Sequence, residues 1–202
     1  IDLYQIHRLD GVTPFEETLA ALDHLVHSGK VRYLGASSMY AWQLMQMLTL
    51  SERNGWAKFA CMQDHYNLVY REEEREMLPL CRDQGLGVIP WSPLARGRLA
   101  RAADDNTSRA KSDDYMRKLY DQPGDDAVVA ANRAVAEARG ISPAKIALAW
   151  LLSQPGVTAP IIGATQPEHL ETAIEALDVE LTAAESAALE APYLPHPVRG
   201  HE

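Results

Sequence analysis

Short apolar runs alternate along the chain with longer segments whose apolar positions recur every three or four residues. Leu3 to His7 reads as a strand. Thr13-Pro14-Phe15-Glu16 then opens a helix, with Thr13 as the cap, Pro14 in the first turn and Glu16 completing a capping box. Phe15, Leu19, Leu22 and Val26 fall on one helical face, and Gly29 ends the element. The unit repeats. Strands are expected at 31–36, 59–63, 86–91 and 160–163, and helices at 41–51, 71–83, about 126–138 and from Ser142-Pro143 onward. Thr165-Gln166-Pro167-Glu168 has the form of a second capping box, and a last short helix is expected to start at Thr182, with Glu185 three residues on.

Strands alternating with helices imply βαβ units and a parallel sheet. The strands are short and apolar on both faces, as buried parallel strands are. No Gly-x-Gly-x-x-Gly follows any of them, which disfavours a dinucleotide-binding doubly wound domain. The remaining parallel architecture is the (β/α)8 barrel. The expected fold class is therefore α/β, a partial (β/α)8 barrel of five parallel strands with outer helices, residues 1–202 forming a single domain. The two outermost strands are expected to be 2–7 and 160–163. The chain opens inside an apolar run, Ile1-Asp2-Leu3-Tyr4, which suggests the C-terminal portion of such a barrel.

Composition narrows the function. Apolar residues make up 47% and charged residues 23%, a profile of globular domains, and no apolar run is long enough to cross a bilayer. A net charge of −9 argues against general nucleic-acid binding. The span from Arg96 to Lys118 is nonetheless basic, as an anion site requires. Two cysteines, Cys61 and Cys81, make neither a disulfide framework nor a metal cluster and fit a reducing, cytoplasmic setting.

Barrel active sites sit at the C-terminal ends of the strands. Those ends carry His7, Ser37, Ser38, Gln63, His65, Trp91, Ser92 and the segment Gly163 to Thr165. A histidine, hydroxyls, an amide and an indole suit a flat polar ligand, and they form neither a nucleophile–base pair nor a metal set. At Ile1-Asp2-Leu3-Tyr4-Gln5-Ile6-His7, Leu34-Gly35-Ala36-Ser37-Ser38, Trp91-Ser92-Pro93-Leu94-Ala95-Arg96-Gly97 and Pro160-Ile161-Ile162-Gly163-Ala164-Thr165, the sequence resembles the aldo/keto reductases, from their fourth barrel strand onward. The run from Tyr70 to Pro79 and the tail Pro195-His196-Pro197 resemble a bacterial subgroup, close to the channel-β-subunit-like branch.

The resemblance implies an NADPH-dependent reduction of aldehydes or ketones, sugar or sugar-phosphate carbonyls among them, with NADH as the alternative cofactor. His7 would be the catalytic histidine that orients the substrate carbonyl. Ser37, Ser38 and Gln63 would hold the nicotinamide carboxamide, and Trp91 would stack on its ring. Ser92, Leu94 and Gly97 would follow the pyrophosphate, while Arg109, Thr165 and His169 would meet the adenosine phosphate end. The family's catalytic Asp, Tyr and Lys would lie upstream of Ile1, so the chain by itself is expected to be inactive. The alternative is a nucleotide-sensing binding subunit on the same barrel. The expected partner is a small-molecule carbonyl substrate, with no nucleic acid and no membrane.

Overall fold

The computed structural model describes residues 1–100 and 119–201. Arg109 and the polar stretch 102–114 lie outside the described residues. The chain divides into two compact units. The first comprises Ile1–Asp64, Glu73–Ile89 and Gly200–Glu202; the second comprises His65–Glu72 and Pro90–Arg199.

The first unit holds a parallel sheet in sequential order, β1 (Leu3–Gln5), β2 (Tyr33–Ser37), β3 (Phe59–Gln63) and β4 (Gly87–Val88). Leu3 pairs with Tyr33, Gly35 with Cys61 and Cys61 with Gly87. Helices α1 (Phe15–His27), α2 (Ala41–Asn54) and α3 (Met77–Asp83) return the chain between strands. Leu19 and Leu22 of α1 are buried, as the apolar spacing of that helix predicts, and α2 buries Leu44, Met47 and Leu48. Gly55 ends α2 in the left-handed region at φ 67, where a side chain would be strained. A Cβ at Gly35 would meet the end of the Gln5 side chain, whose amide donates to the Ala36 carbonyl, so that side chain would have to move.

Three expectations are corrected here. Among the described residues four strands, not five, form the ladder: 160–163 is not a strand, and it is linked by a bond from the Ile161 N–H to the Pro90 carbonyl (2.8 Å). Proline explains this, since neither Pro90 nor Pro160 has an N–H to continue a ladder. The segment 86–91, expected inside the sheet, therefore supplies the edge strand β4, with β1 at the other edge. Finally, the helix around residue 80 begins at Met77 rather than 71, after a 3-10 turn at Glu72–Glu74.

The second unit is helical, with α4 (Asp125–Arg139), α5 (Pro143–Ser153), α6 (Pro167–Glu175) and α7 (Ala183–Glu190). The α5 helix is apolar nearly all round, and Ile146, Ala147, Leu148, Trp150 and Leu151 are buried. It packs against both α4 and α6. Neither expected capping box forms, but one closes at the start of α7, with the Glu185 N–H donating to the Thr182 hydroxyl and the Thr182 N–H to the Glu185 carboxylate. Thr13 is not a cap. It donates through its hydroxyl and N–H to the Asp10 carboxylate at 2.6 and 2.8 Å, and these bonds lower the Asp10 pKa to about 2. Thr165 stands one residue before Gln166, the actual cap position of α6, and Pro167 fills the first turn.

Candidate functional site

In the first unit, His7, Ser37, Ser38 and Gln63 all follow or end parallel strands, so the topology brings them to one end of the sheet. Their environments differ. His7 lies two residues past β1 and is exposed. Ser37 and Ser38 are 1% exposed. The Ser37 hydroxyl donates to the Gln63 carbonyl at 2.9 Å and accepts from the Arg8 guanidinium at 3.3 Å. Ser38 sits at φ 42, a costly conformation for a residue with a Cβ, and its N–H donates to the same Gln63 carbonyl at 3.1 Å. Both serines thus brace the Gln63 backbone, while the Gln63 side chain remains partly accessible.

In the second unit, Trp91 is built into a stack. The His65 ring lies over Trp91 with centroids 4.2 Å apart and 9° between planes, and Tyr70 covers the other face of His65 at 4.2 Å and 12°. His65 is 1% exposed, and its Nε2 lies 2.5 Å from the Tyr120 hydroxyl. The Asn67 side chain donates to the same hydroxyl at 3.0 Å and to the Ser92 carbonyl at 2.9 Å. This fixes the indole and the start of the following loop together.

That loop is strained. Ser92 (φ 54), Ala95 (φ 46) and Arg96 (φ 53) are left-handed without being glycine, and Gly97 follows at φ 96. Each such residue costs about 1–2 kcal/mol, and strain of this kind clusters where a ligand must be met. Tight turns hold it, with the Ala95 N–H on the Ser92 carbonyl and the Gly97 N–H on the Leu94 carbonyl at 2.9 and 2.8 Å.

The same loop forms one wall of a cleft of about 630 Å³, within the size range of small-molecule sites. Ser92, Leu94, Arg96 and Gly97 line it, and so do Ser142 and Ala144, Ile161 to Thr165, His169, Thr172 and Ala173. Ser142 and Pro143 open α5, and Thr165 to Pro167 open α6, so two helix N-termini border one cleft. Their free N–H groups and the Arg96 guanidinium favour an anion. The Ser142 hydroxyl is buried against this cleft and has no hydrogen-bond partner. Thr165 contacts His169 Nδ1 through both its N–H and its hydroxyl, at 3.4 Å each. Two helix starts and a cation fit a phosphate-bearing ligand such as a dinucleotide.

Among the expected site residues, Ser92, Leu94, Gly97, Thr165 and His169 are brought to this one cleft, and Trp91 precedes it in the chain. Arg109 lies outside the described residues. Arg98, part of the basic span, is taken up by Asp125 and Asp126. Sequence reading missed Ser142, which looked like an ordinary helix cap, and gave His65 no role although it named it among the strand ends.

A family model described as the aldo/keto reductase family matches residues 1–193. An aldo-keto reductase of Fusarium vanettenii is 46% identical over all of this chain and 55% of its own length. The versiconal hemiacetal acetate reductase of Aspergillus parasiticus is 44% identical over all of this chain and 60% of its own. The solved structure of a thermostable aldo-keto reductase in complex with the inhibitor epalrestat matches with a TM-score of 0.74 and 27% identity, covering 95% of this chain and 60% of that one. The chain thus spans a little over half the length of these relatives. Both sequence relatives are fungal, which replaces the expected affinity with a bacterial subgroup and the channel-β-subunit branch.

Proposed function

The chain belongs to the aldo/keto reductase family, and from that premise we propose that the full-length protein reduces aldehydes or ketones to alcohols with NADPH. The observation that carries the cofactor reading is the cleft of the second unit, where two helix N-termini and Arg96 border one space.

When bound, NADPH supplies the hydride. The residues of this chain divide the remaining work. Ser92, Leu94, Gly97 and Thr165 follow the phosphates along the cleft wall, and His169 adds a ring nitrogen beside Thr165. Trp91, held flat by His65, offers an aromatic face of the kind a nicotinamide ring packs on. Gln63 bonds the carboxamide, and Ser37 and Ser38 fix its backbone. His7, exposed at its strand end, donates to the carbonyl oxygen of the substrate and so orients it. An aldehyde or ketone, sugar carbonyls included, is the proposed substrate class, and the fungal hemiacetal reductase supports the same chemistry. A cytoplasmic location agrees with the two free, buried thiols, and no helix among the described residues is long and apolar enough to cross a membrane. The binding-subunit alternative has no observation of its own in its favour.

Arg109 provides the test of cofactor choice. A charge-assisted bond to the 2′-phosphate is worth about 1.5–3 kcal/mol. Arg109→Ala is therefore expected to weaken NADPH binding about tenfold to a hundredfold, with NADH binding changed much less. Isothermal titration of both cofactors reads the ratio. Equal losses for the two would remove the 2′-phosphate role.

A further inference from the structure

Outside the cofactor cleft, the first unit buries three groups of metal-ligating chemistry together. Asp64 follows β3, Glu73 lies in the 3-10 turn Glu72–Glu74, and His201 comes from the C-terminal segment. One ligand atom from each lies within 4.8 Å of the other two. Asp64 is 0% exposed, and neither of its carboxylate oxygens has a hydrogen-bond partner. The Ser38 N–H donates to the Gln63 carbonyl at 3.1 Å and also favours the charged form of the Asp64 carboxylate. His201 Nε2 stands 3.3 Å from Glu73 Oε1, and both side chains are more than nine-tenths buried.

Two buried carboxylates side by side are costly unless a proton or a cation sits between them. The electrostatics record that cost. Burial first, then Glu73, pushes the Asp64 carboxyl well above its usual range, although His201 and Arg8 pull it back. The imidazole of His201 is held by burial toward its neutral form, the form that ligates metals.

We propose that Asp64, Glu73 and His201 form a binding site for a divalent transition metal, zinc being the best match. Zinc takes imidazole and carboxylate ligands at roughly 2.0–2.2 Å, which sets the ligands of a tetrahedron about 3.4 Å apart. The Glu73–His201 pair already has that separation, and a small closure brings in Asp64. Water completes the fourth position. A dication there offsets the two carboxylates and ties the C-terminal segment to the end of β3. This site shares no ligand with the cofactor cleft and does not depend on the reductase reading, since metal content is measured without turnover.

The test is a zinc titration of the full-length protein after treatment with a chelator, by equilibrium dialysis and thermal unfolding, with cobalt(II) as a spectroscopic substitute. The expected result is one zinc per chain, a raised Tm, and visible cobalt bands. Asp64→Asn keeps the shape and removes a buried charge, so it should fold with an unchanged or higher metal-free Tm. It and His201→Ala should each weaken zinc at least tenfold and lose the Tm rise. The double variant Cys61→Ala/Cys81→Ala should keep both, which separates the site from adventitious thiol binding. Absence of stoichiometric zinc and of cobalt bands in the wild-type protein overturns the proposal. So does zinc retained at wild-type affinity by both Asp64→Asn and His201→Ala.

Discussion

Trp150→Ala is expected to destabilise the protein by about 3–5 kcal/mol, as the loss of a large, fully buried aromatic does. Trp150 is 0% exposed on α5. It packs on Tyr66, its indole N–H donates to Glu190 at 2.9 Å, and the Arg71 guanidinium lies 5.2 Å from its ring centre. Arg71 is in turn shared with Tyr193, also at 5.2 Å, and with Glu190 at 3.6 Å. Removing the indole therefore opens a cavity and loosens a cation held on two aromatic faces at once. Urea unfolding should show the midpoint fall with the m-value kept. Trp150→Phe, which keeps most of the volume and loses the N–H bond, should cost about 1–2 kcal/mol by the same measurement. A loss below 1 kcal/mol for the alanine variant would mean that α5 is not the centre of its unit's core.

A comparable loss is expected at Asp125, for an electrostatic reason. Its carboxylate is 3% exposed in the first turn of α4, where the helix N-terminus favours a negative charge. It accepts from the Gln122 N–H at 3.1 Å, faces Arg98 at 3.5 Å, and lies 2.9 Å from Nε2 of His196, itself 2% exposed. Taking away this carboxylate leaves the buried His196 ring without it, while Arg98 keeps Asp126, and Asp125→Ala should cost about 3–5 kcal/mol. His196 belongs to the segment after α7, which Glu72 also holds by accepting from the Tyr193 hydroxyl and the His196 N–H at 2.6 and 2.7 Å. The variant should accordingly expose the residues around His196 to protease before the rest of the unit unfolds. Unchanged stability together with an equally protected segment would show that this cluster is not what fastens it.

The alternation of short apolar runs with helical spacing was enough to find the parallel order of β1 to β4 and the helices α1, α2 and α4, because burial of one face writes itself into the sequence at a period of two or 3.6. Segment 160–163 has the same apolar look, but Pro160 and Pro90 deny it a ladder, and apolarity carries no information about who supplies N–H groups. Thr13 and Thr165 show a second limit. Each has the residues of a cap, yet Thr13 is drawn to Asp10 and Thr165 falls one position short of α6. Of the candidate site, the strand-end residues were legible because chemistry at strand ends is a rule of the architecture. The Trp91–His65–Tyr70 stack, the left-handed run from Ser92 to Gly97 and the unpartnered Ser142 were not, since each depends on residues distant in sequence or on backbone angles that no side-chain pattern encodes. The grouping of Asp64 with Glu73 and His201 was hidden for the same reason, with 137 positions (201 − 64) separating its ends.

The most direct measurement is hydride transfer itself in the full-length protein. NADPH carrying deuterium at the transferring position of its nicotinamide is incubated with the protein and an aromatic aldehyde or an open-chain sugar, and the alcohol is examined by mass spectrometry. The expected result is one deuterium on the carbinol carbon for each NADPH oxidised, with the rate reduced at least tenfold in His7→Ala while NADPH still binds. NADPH bound at the cleft but left unoxidised, with no labelled alcohol from either kind of carbonyl, would contradict the reductase reading.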